Sequence, residues 1–186
     1  MVHNDAAERL NELIRSYEQS MYRENVLEQI FCADLIQCAW AQGFPPIEIA
    51  RGFVDFQGYD LIVQSGPVIR HIQLKGTKGT ITLHQELASK PAACCVLIRL
   101  SVSDSHSRIS MQYRYFGSGP SEPLDLTGLP EAKGTRWIKT SDGMKRPLRR
   151  HHVTVSTRLF QPKRAIPMEE LVPLLLGPAP KGQLRG

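Results

Sequence analysis

The chain has 186 residues, 41% of them hydrophobic, enough for one compact domain with a real core and too few for two. Its 23 Lys and Arg outweigh 18 Asp and Glu, and a net charge of +5 favours a polyanionic partner. The opening "MVHNDAAERL" carries acids and no apolar run, and "LVPLLLG" near the end is far shorter than the roughly 20 residues of a spanning helix, so neither a secretory leader nor a membrane span is expected and the protein reads as soluble and cytoplasmic.

From Ala6 to about Gln42, apolar residues recur at three-and-four spacing: Leu10, Leu13, Ile14, Tyr17 and Met21, then Leu27, Ile30, Phe31, Leu35 and Cys38. This predicts one long amphipathic helix or two consecutive ones. "GFPP" at 43–46 ends it, since glycine stops a helix and two prolines cannot continue one. The period then changes to short β-branched and aromatic runs, "RGFVDF", "YDLIVQS" and "VIRHIQLK", which predict a meander of strands.

After "KGTKGT" a brief helix is expected over Leu83–Ser89. "ACCVLIRLSV" follows as the most apolar strand and "ISMQYRYFG" as another. Residues 117–134, rich in Gly, Pro and Ser, predict a long surface loop. "HHVTVSTRLF" reads as a late strand, "PMEELVPLLL" as a terminal helix and 177–186 as a disordered tail. The expected fold is thus a mixed central sheet flanked by helices, of α/β or α+β class, forming one domain over 1–176.

Cys32 and Cys38 fall in the helical stretch and Cys94 and Cys95 in the apolar strand, with no CxxC spacing. Such settings fit reduced core thiols. A zinc site built from Cys94, Cys95, His151 and His152 has no recognisable spacing, and adjacent histidines in a strand point to opposite faces, which favours solvation or substrate contact.

Two predicted strands carry polar residues where a core would take Val or Ile. In "VIRHIQLK", His71, Gln73 and Lys75 share one face, and in "YDLIV" Asp60 opposes Leu61 and Val63. An antiparallel hairpin through "QSGP" would bring Asp60 towards Gln73. On the helix, Glu28 flanks the apolar stripe, and Glu24, one turn earlier, is its substitute. The bland reading of this pattern is a structural hairpin with a solvated face.

Glu28, "GYDLIV" with Asp60, and "IQLKGT" with Gln73 and Lys75 resemble the PD-(D/E)XK, or restriction-endonuclease-like, nuclease superfamily, in particular Mrr-type members in which Gln replaces the second acid. The likeness covers about residues 24–100, and the order helix, three strands, helix, strand is similar to that family's core. Tyr59 stands where the family has Pro, and Glu28 lies about one helical turn further from Gly43 than the family pattern has it. The resemblance implies that Asp60, Gln73 and the Leu74 backbone carbonyl ligate Mg²⁺ or Mn²⁺, that Glu28 holds the ion through water, and that Lys75 orients the attacking water. The residue types suit that chemistry: hard oxygen ligands gather a divalent ion that neutralises phosphodiester charge, and an ammonium steers the water.

From Lys133 to Arg164 the only acid is Asp142, against Lys133, Arg136, Lys139, Lys145, Arg146, Arg149, Arg150, Arg158, Lys163 and Arg164. With Trp137 interleaved, the part over about 133–164 suits a phosphate-tracking surface that also stacks a base, the bland reading being a solvated face. The expected function is a metal-dependent nuclease, acting on DNA rather than RNA and possible as a homodimer. The alternatives are a non-catalytic nucleic-acid-binding module on the same fold and a basic domain that meets an acidic protein.

Overall fold

The computed structural model describes residues 2–16, 18–52, 58–76, 80–103, 108–134, 138–141, 143–145 and 147–180. It is a mixed α+β fold. The helical stretch forms two helices, α1 (Val2–Arg15) and α2 (Ser20–Ala41). Gly43, at φ +79°, turns the chain out of α2 in the left-handed region, which glycine enters without steric cost.

Three strands follow: β1 (Ile47–Arg51), β2 (Leu61–Ser65) and β3 (Val68–Gly76). The first lies upstream of the "RGFVDF" expected as a strand, because "IEIAR" carries the alternation that pairs with β2; residues 53–57 of that expected strand lie outside the described residues. The helix expected over Leu83–Ser89 is instead β4 (Ile81–His84) followed by a single 3₁₀ turn, Gln85–Ser89. β-Branched Ile81 and Thr82 gain sheet partners in β10 (Leu148–Val155), and the His84 ring nitrogen accepts the Glu86 N–H to start the tight turn.

The apolar run is β5 (Cys94–Ser103) and its neighbour β6 (Arg108–Gly117). Three short strands fall in the region read as loop and basic segment: β7 (Glu131–Lys133), β8 (Ile138–Thr140) and β9 (Gly143–Lys145). After β10 come β11 (Gln161–Ile166) and α3 (Met168–Leu176). Sequence reading missed β11, since "QPKRAI" contains a proline and two adjacent cations. Those are tolerated because β11 is an edge strand, pairing with β6 alone. Residues 181–186 of the expected tail lie outside the described residues.

The main sheet has the order β1-β2-β3-β5-β6-β11; β3 and β5 are parallel and the other pairs antiparallel. Alternation splits its residues between two cores. Leu61, Val63, Ile72, Cys94, Val96 and Ile98 pack with Phe31, Leu35 and Ala39 of α2 and with Leu171 and Leu175 of α3. On the opposite face Cys95 and Leu97 pack with Ile81, Leu83 and Val153 of the β4-β10-β7 sheet. Leu124 and Leu126 join this second core, so the long loop is anchored by its own apolar residues. Cys94 and Cys95 therefore belong to different cores, which rules out a shared zinc site.

α2 docks through a fully buried Leu35. Leu35→Ala is expected to lower unfolding free energy by about 2–5 kcal/mol, because the fixed sheet and α3 cannot collapse into the space left. Urea denaturation measures it; a drop under about 1 kcal/mol would mean that α2 is not packed as described.

Candidate metal centre

The site begins where β2 parts from β3. Their ladder pairs Leu61 with Ile72, yet the Asp60 N–H also donates to the Ile72 carbonyl (2.9 Å), one residue out of register. Two residues thus oppose one, as in a β-bulge, and such a bulge turns a side chain away from its regular face. The carboxylate of Asp60 lies over the edge of β3, where Oδ2 accepts the Leu74 N–H at 2.6 Å. On its other side the Asp60 carbonyl accepts from the Gly52 N–H (3.0 Å). Amide, carbonyl and carboxylate are all held, and a ligand fixed in this way loses little entropy when it binds. Gly58, at φ +76°, leads the chain in; a Cβ there would stand 2.7 Å from His84 Cβ.

In an extended strand the N–H and C=O of one residue face the same edge. Since the Leu74 N–H reaches Asp60, the Leu74 carbonyl also faces the edge that β2 has vacated. Glu24, Glu28, Asp60, Leu74, Lys75 and Gly76 line one open cleft of about 390 Å³ between α2 and the end of β3. Glu24 is exposed on it, and Glu28 is half-buried. Glu28 Oε1 stands 2.7 Å from Arg51 Nε, an ion pair that lacks the alignment of a hydrogen bond. Arg51 was not a sequence candidate, because the pattern of β1 alone does not show that its last residue meets α2. Burial, reinforced by the charge of Glu28, raises the Cys32 thiol above its ordinary range.

Gln73 is placed differently. It is 3% exposed, sits in register with Cys95 on the second-core face, and does not line the cleft. Its Oε1 is buried and accepts no hydrogen bond among the described residues. A buried acceptor left so costs about 1–3 kcal/mol unless a donor or cation reaches it. Lys75 shares that face with Gln73 and, at the strand end, also lines the cleft. Burial drives the Cys95 thiol far above its usual range, with Lys75 opposing and Asp60 reinforcing, so both charges act on this corner of the sheet.

The donors that line the cleft are three carboxylates, of Glu24, Glu28 and Asp60, and the Leu74 carbonyl at the vacated edge, a hard set suited to Mg²⁺ or Mn²⁺ and not to zinc; the Gln73 amide oxygen lies outside it. Among the described residues no three His, Cys, Asp or Glu side chains gather as a metal cluster. An ion in the cleft would therefore rely on the neutral Leu74 carbonyl beside Asp60.

The basic segment forms a separate surface. Lys133 on β7, Lys139 on β8, Lys145 on β9, and Arg149 and Arg150 on β10 are all exposed. Arg136, Trp137 and Arg146 lie outside the described residues. His151 and His152 do not simply alternate. His151 adopts φ +63° where the β10–β7 register shifts, and both rings reach His84, one stacked at 6.1 Å and one edge-on at 4.8 Å. His152 is spoken for: its Nε2 faces an Arg149 guanidinium nitrogen (3.2 Å) and its Nδ1 the Arg150 carbonyl (3.0 Å). His152 thus braces the Arg149 guanidinium.

No protein-family model matches the chain, and no curated protein matches it. Among solved structures it is similar to Hjc, a Holliday junction resolvase from the archaeal hyperthermophile Archaeoglobus fulgidus, at 14% identity over 75% of this chain and 97% of that one, with a TM-score of 0.38. A likeness so distant decides neither substrate nor chemistry. Among the described residues no helix is long and apolar enough to cross a membrane.

Proposed function

We propose that the protein is a metal-dependent nuclease of the restriction-endonuclease-like kind, hydrolysing phosphodiester bonds in DNA in preference to RNA. One observation carries this reading: Glu28, Asp60, Leu74 and Lys75 converge on a single cleft at the point where β2 leaves β3. In support, α2 precedes β1, β2 and β3, and β5 lies parallel to β3, although a strand and a 3₁₀ turn stand where the resemblance puts a helix.

Asp60 and the Leu74 carbonyl would hold Mg²⁺ or Mn²⁺ directly, with Glu28 acting through water and Glu24 as its substitute; Gln73, whose side chain does not line the cleft, would complete the shell only by a rotamer that turns Oε1 to it. A divalent ion supplies charge neutralisation and a more acidic water. Lys75 holds the nucleophilic water in line, and its positive charge offsets what develops on the phosphate. Arg51, 2.7 Å away, holds the Glu28 carboxylate at the cleft wall. Lys133, Lys139, Lys145, Arg149 and Arg150, with Arg136, Trp137 and Arg146, form the grip on the substrate.

The Glu28–Arg51 ion pair favours a second reading, a non-catalytic nucleic-acid-binding module, because it takes up one of the three acids of the cleft. Incubating supercoiled plasmid with the protein and Mg²⁺ or Mn²⁺ separates the two. Nicking or linearisation that EDTA abolishes supports the nuclease; DNA bound without cleavage supports the module; no binding at physiological salt supports a basic surface for an acidic protein.

The grip has its own test. With Arg149 and Arg150 replaced by Gln, the slope of log affinity against log salt is expected to flatten by about 0.9 for each duplex phosphate that the protein no longer neutralises. An unaltered slope would make the segment a solvated face.

A further inference from the structure

A second basic surface shares no lining residue with the metal centre or with the β8–β10 grip. β5, β6 and β11 enclose an open cleft of about 600 Å³ whose lining, among the described residues, includes Arg99, Gln112, Arg114, Lys163 and Arg164 and no acid. We infer that this cleft binds the phosphate backbone of a nucleic acid. The inference goes beyond the nuclease reading and rests on it only in its third observation; the binding test below does not involve cleavage.

Three observations carry it. First, the cleft is built. The Arg114 guanidinium donates from Nε to the Pro162 carbonyl (3.1 Å) and from Nη2 to the carbonyls of Thr157 (2.8 Å) and Phe160 (2.5 Å). Those acceptors fix the group in place and satisfy N–H groups without cancelling the charge. Lys163 is tethered likewise, Nζ donating to the Arg158 carbonyl at 2.6 Å.

Second, the charge is one-sided. Glu170 pairs with Arg164, and both are well exposed. Arg99, Arg114 and Lys163 face the cleft with no carboxylate in its described lining. Cations held together on a concave, half-screened surface repel one another unless an anion joins them, and phosphates match guanidinium geometry.

Third, the cleft is aligned with the metal centre. Lys75 is in register with Leu97, and Leu97 with Arg114. One row on one face of the sheet therefore runs from the candidate water-positioning lysine to the cleft. Two strand spacings separate its ends, roughly 10 Å. A polyanion engaged at Lys75 has further phosphates at that reach, whereas an acidic protein would have no reason to match the row. Leu97, buried in the second core, forms the wall between the two sites.

The test is fluorescence anisotropy of a labelled DNA duplex in EDTA over a range of salt, so that cleavage plays no part. Arg99→Gln with Lys163→Gln is expected to weaken binding and flatten the log affinity–log salt slope by about 1.8, twice the 0.9 of one neutralised phosphate. Arg99→Lys with Lys163→Arg, which keeps both charges, is expected to preserve it. If the double Gln variant fails to fold by thermal melting, Arg99→Gln alone carries the test with a change of about 0.9.

Unchanged slopes would overturn the inference. Inorganic phosphate that binds the wild type and not the Gln variant while the DNA slopes stay unchanged would likewise overturn it, in favour of a small-anion site. Polyglutamate competing as well as DNA, charge for charge, would overturn it in favour of an acidic protein partner. Plasmid cleavage that survives in the Gln variant leaves the nuclease reading standing whichever way the slopes fall.

Discussion

Replacing Asp60 by Asn is expected to abolish metal-dependent DNA cleavage, by roughly a hundredfold or more, while the protein stays folded. The variant keeps the shape of the side chain, and an amide oxygen can still accept the Leu74 N–H that Asp60 Oδ2 accepts now. Exchanging a charged acceptor for a neutral one there costs stability on the order of 1 kcal/mol. Removing a negative ligand is far larger in its effect, because, of the other two acids of the cleft, Glu28 is already paired with Arg51 and Glu24 is exposed to solvent. Calorimetric titration with Mn²⁺ and a plasmid cleavage assay report metal binding and activity side by side. Full cleavage by Asp60→Asn would remove Asp60 from the site and the proposed chemistry with it.

Lys75→Ala is expected to lower turnover by roughly a hundredfold or more while duplex affinity and melting temperature hardly move. Lys75 lies at the end of β3, in register with Leu97 and against the cleft, where an ammonium is well placed to hold a water and contributes little to packing. A lysine that only decorated the strand would be worth less than about 0.5 kcal/mol in stability and nothing in rate. Single-turnover cleavage at saturating DNA distinguishes the two, since it reads the step after binding. Equal rates for variant and wild type would place the catalytic group elsewhere.

Much of the framework was legible in the sequence, because local patterns report local structure. The three-and-four spacing of Leu27, Ile30, Phe31 and Leu35 marks α2, the apolar run from Cys94 marks β5, and the alternation of "LIVQS" and "VIRHIQLK" marks the β2–β3 hairpin with its faces. The same alternation brings Asp60, Gln73 and Lys75 to notice, as polar residues inside apolar strands. The mixed sheet flanked by helices follows from the order of these elements.

What the sequence could not contain are relations between segments far apart along the chain. β4 is a strand and not a helix because β10 supplies its hydrogen-bond partners, and β11 tolerates proline because it ends the sheet. The carboxylate of Asp60 meets the Leu74 N–H because one bulge breaks the pairing register at residue 60, and Gln73 lies buried outside the cleft because the β4-β10-β7 sheet covers the face that it shares with Cys95. Periodicity determines which face a side chain takes while the ladder is regular. Only the tertiary packing of β1, β2 and β3, which pins Asp60 between Gly52 and Ile72, decides where the ladder stops being regular and therefore which oxygens meet.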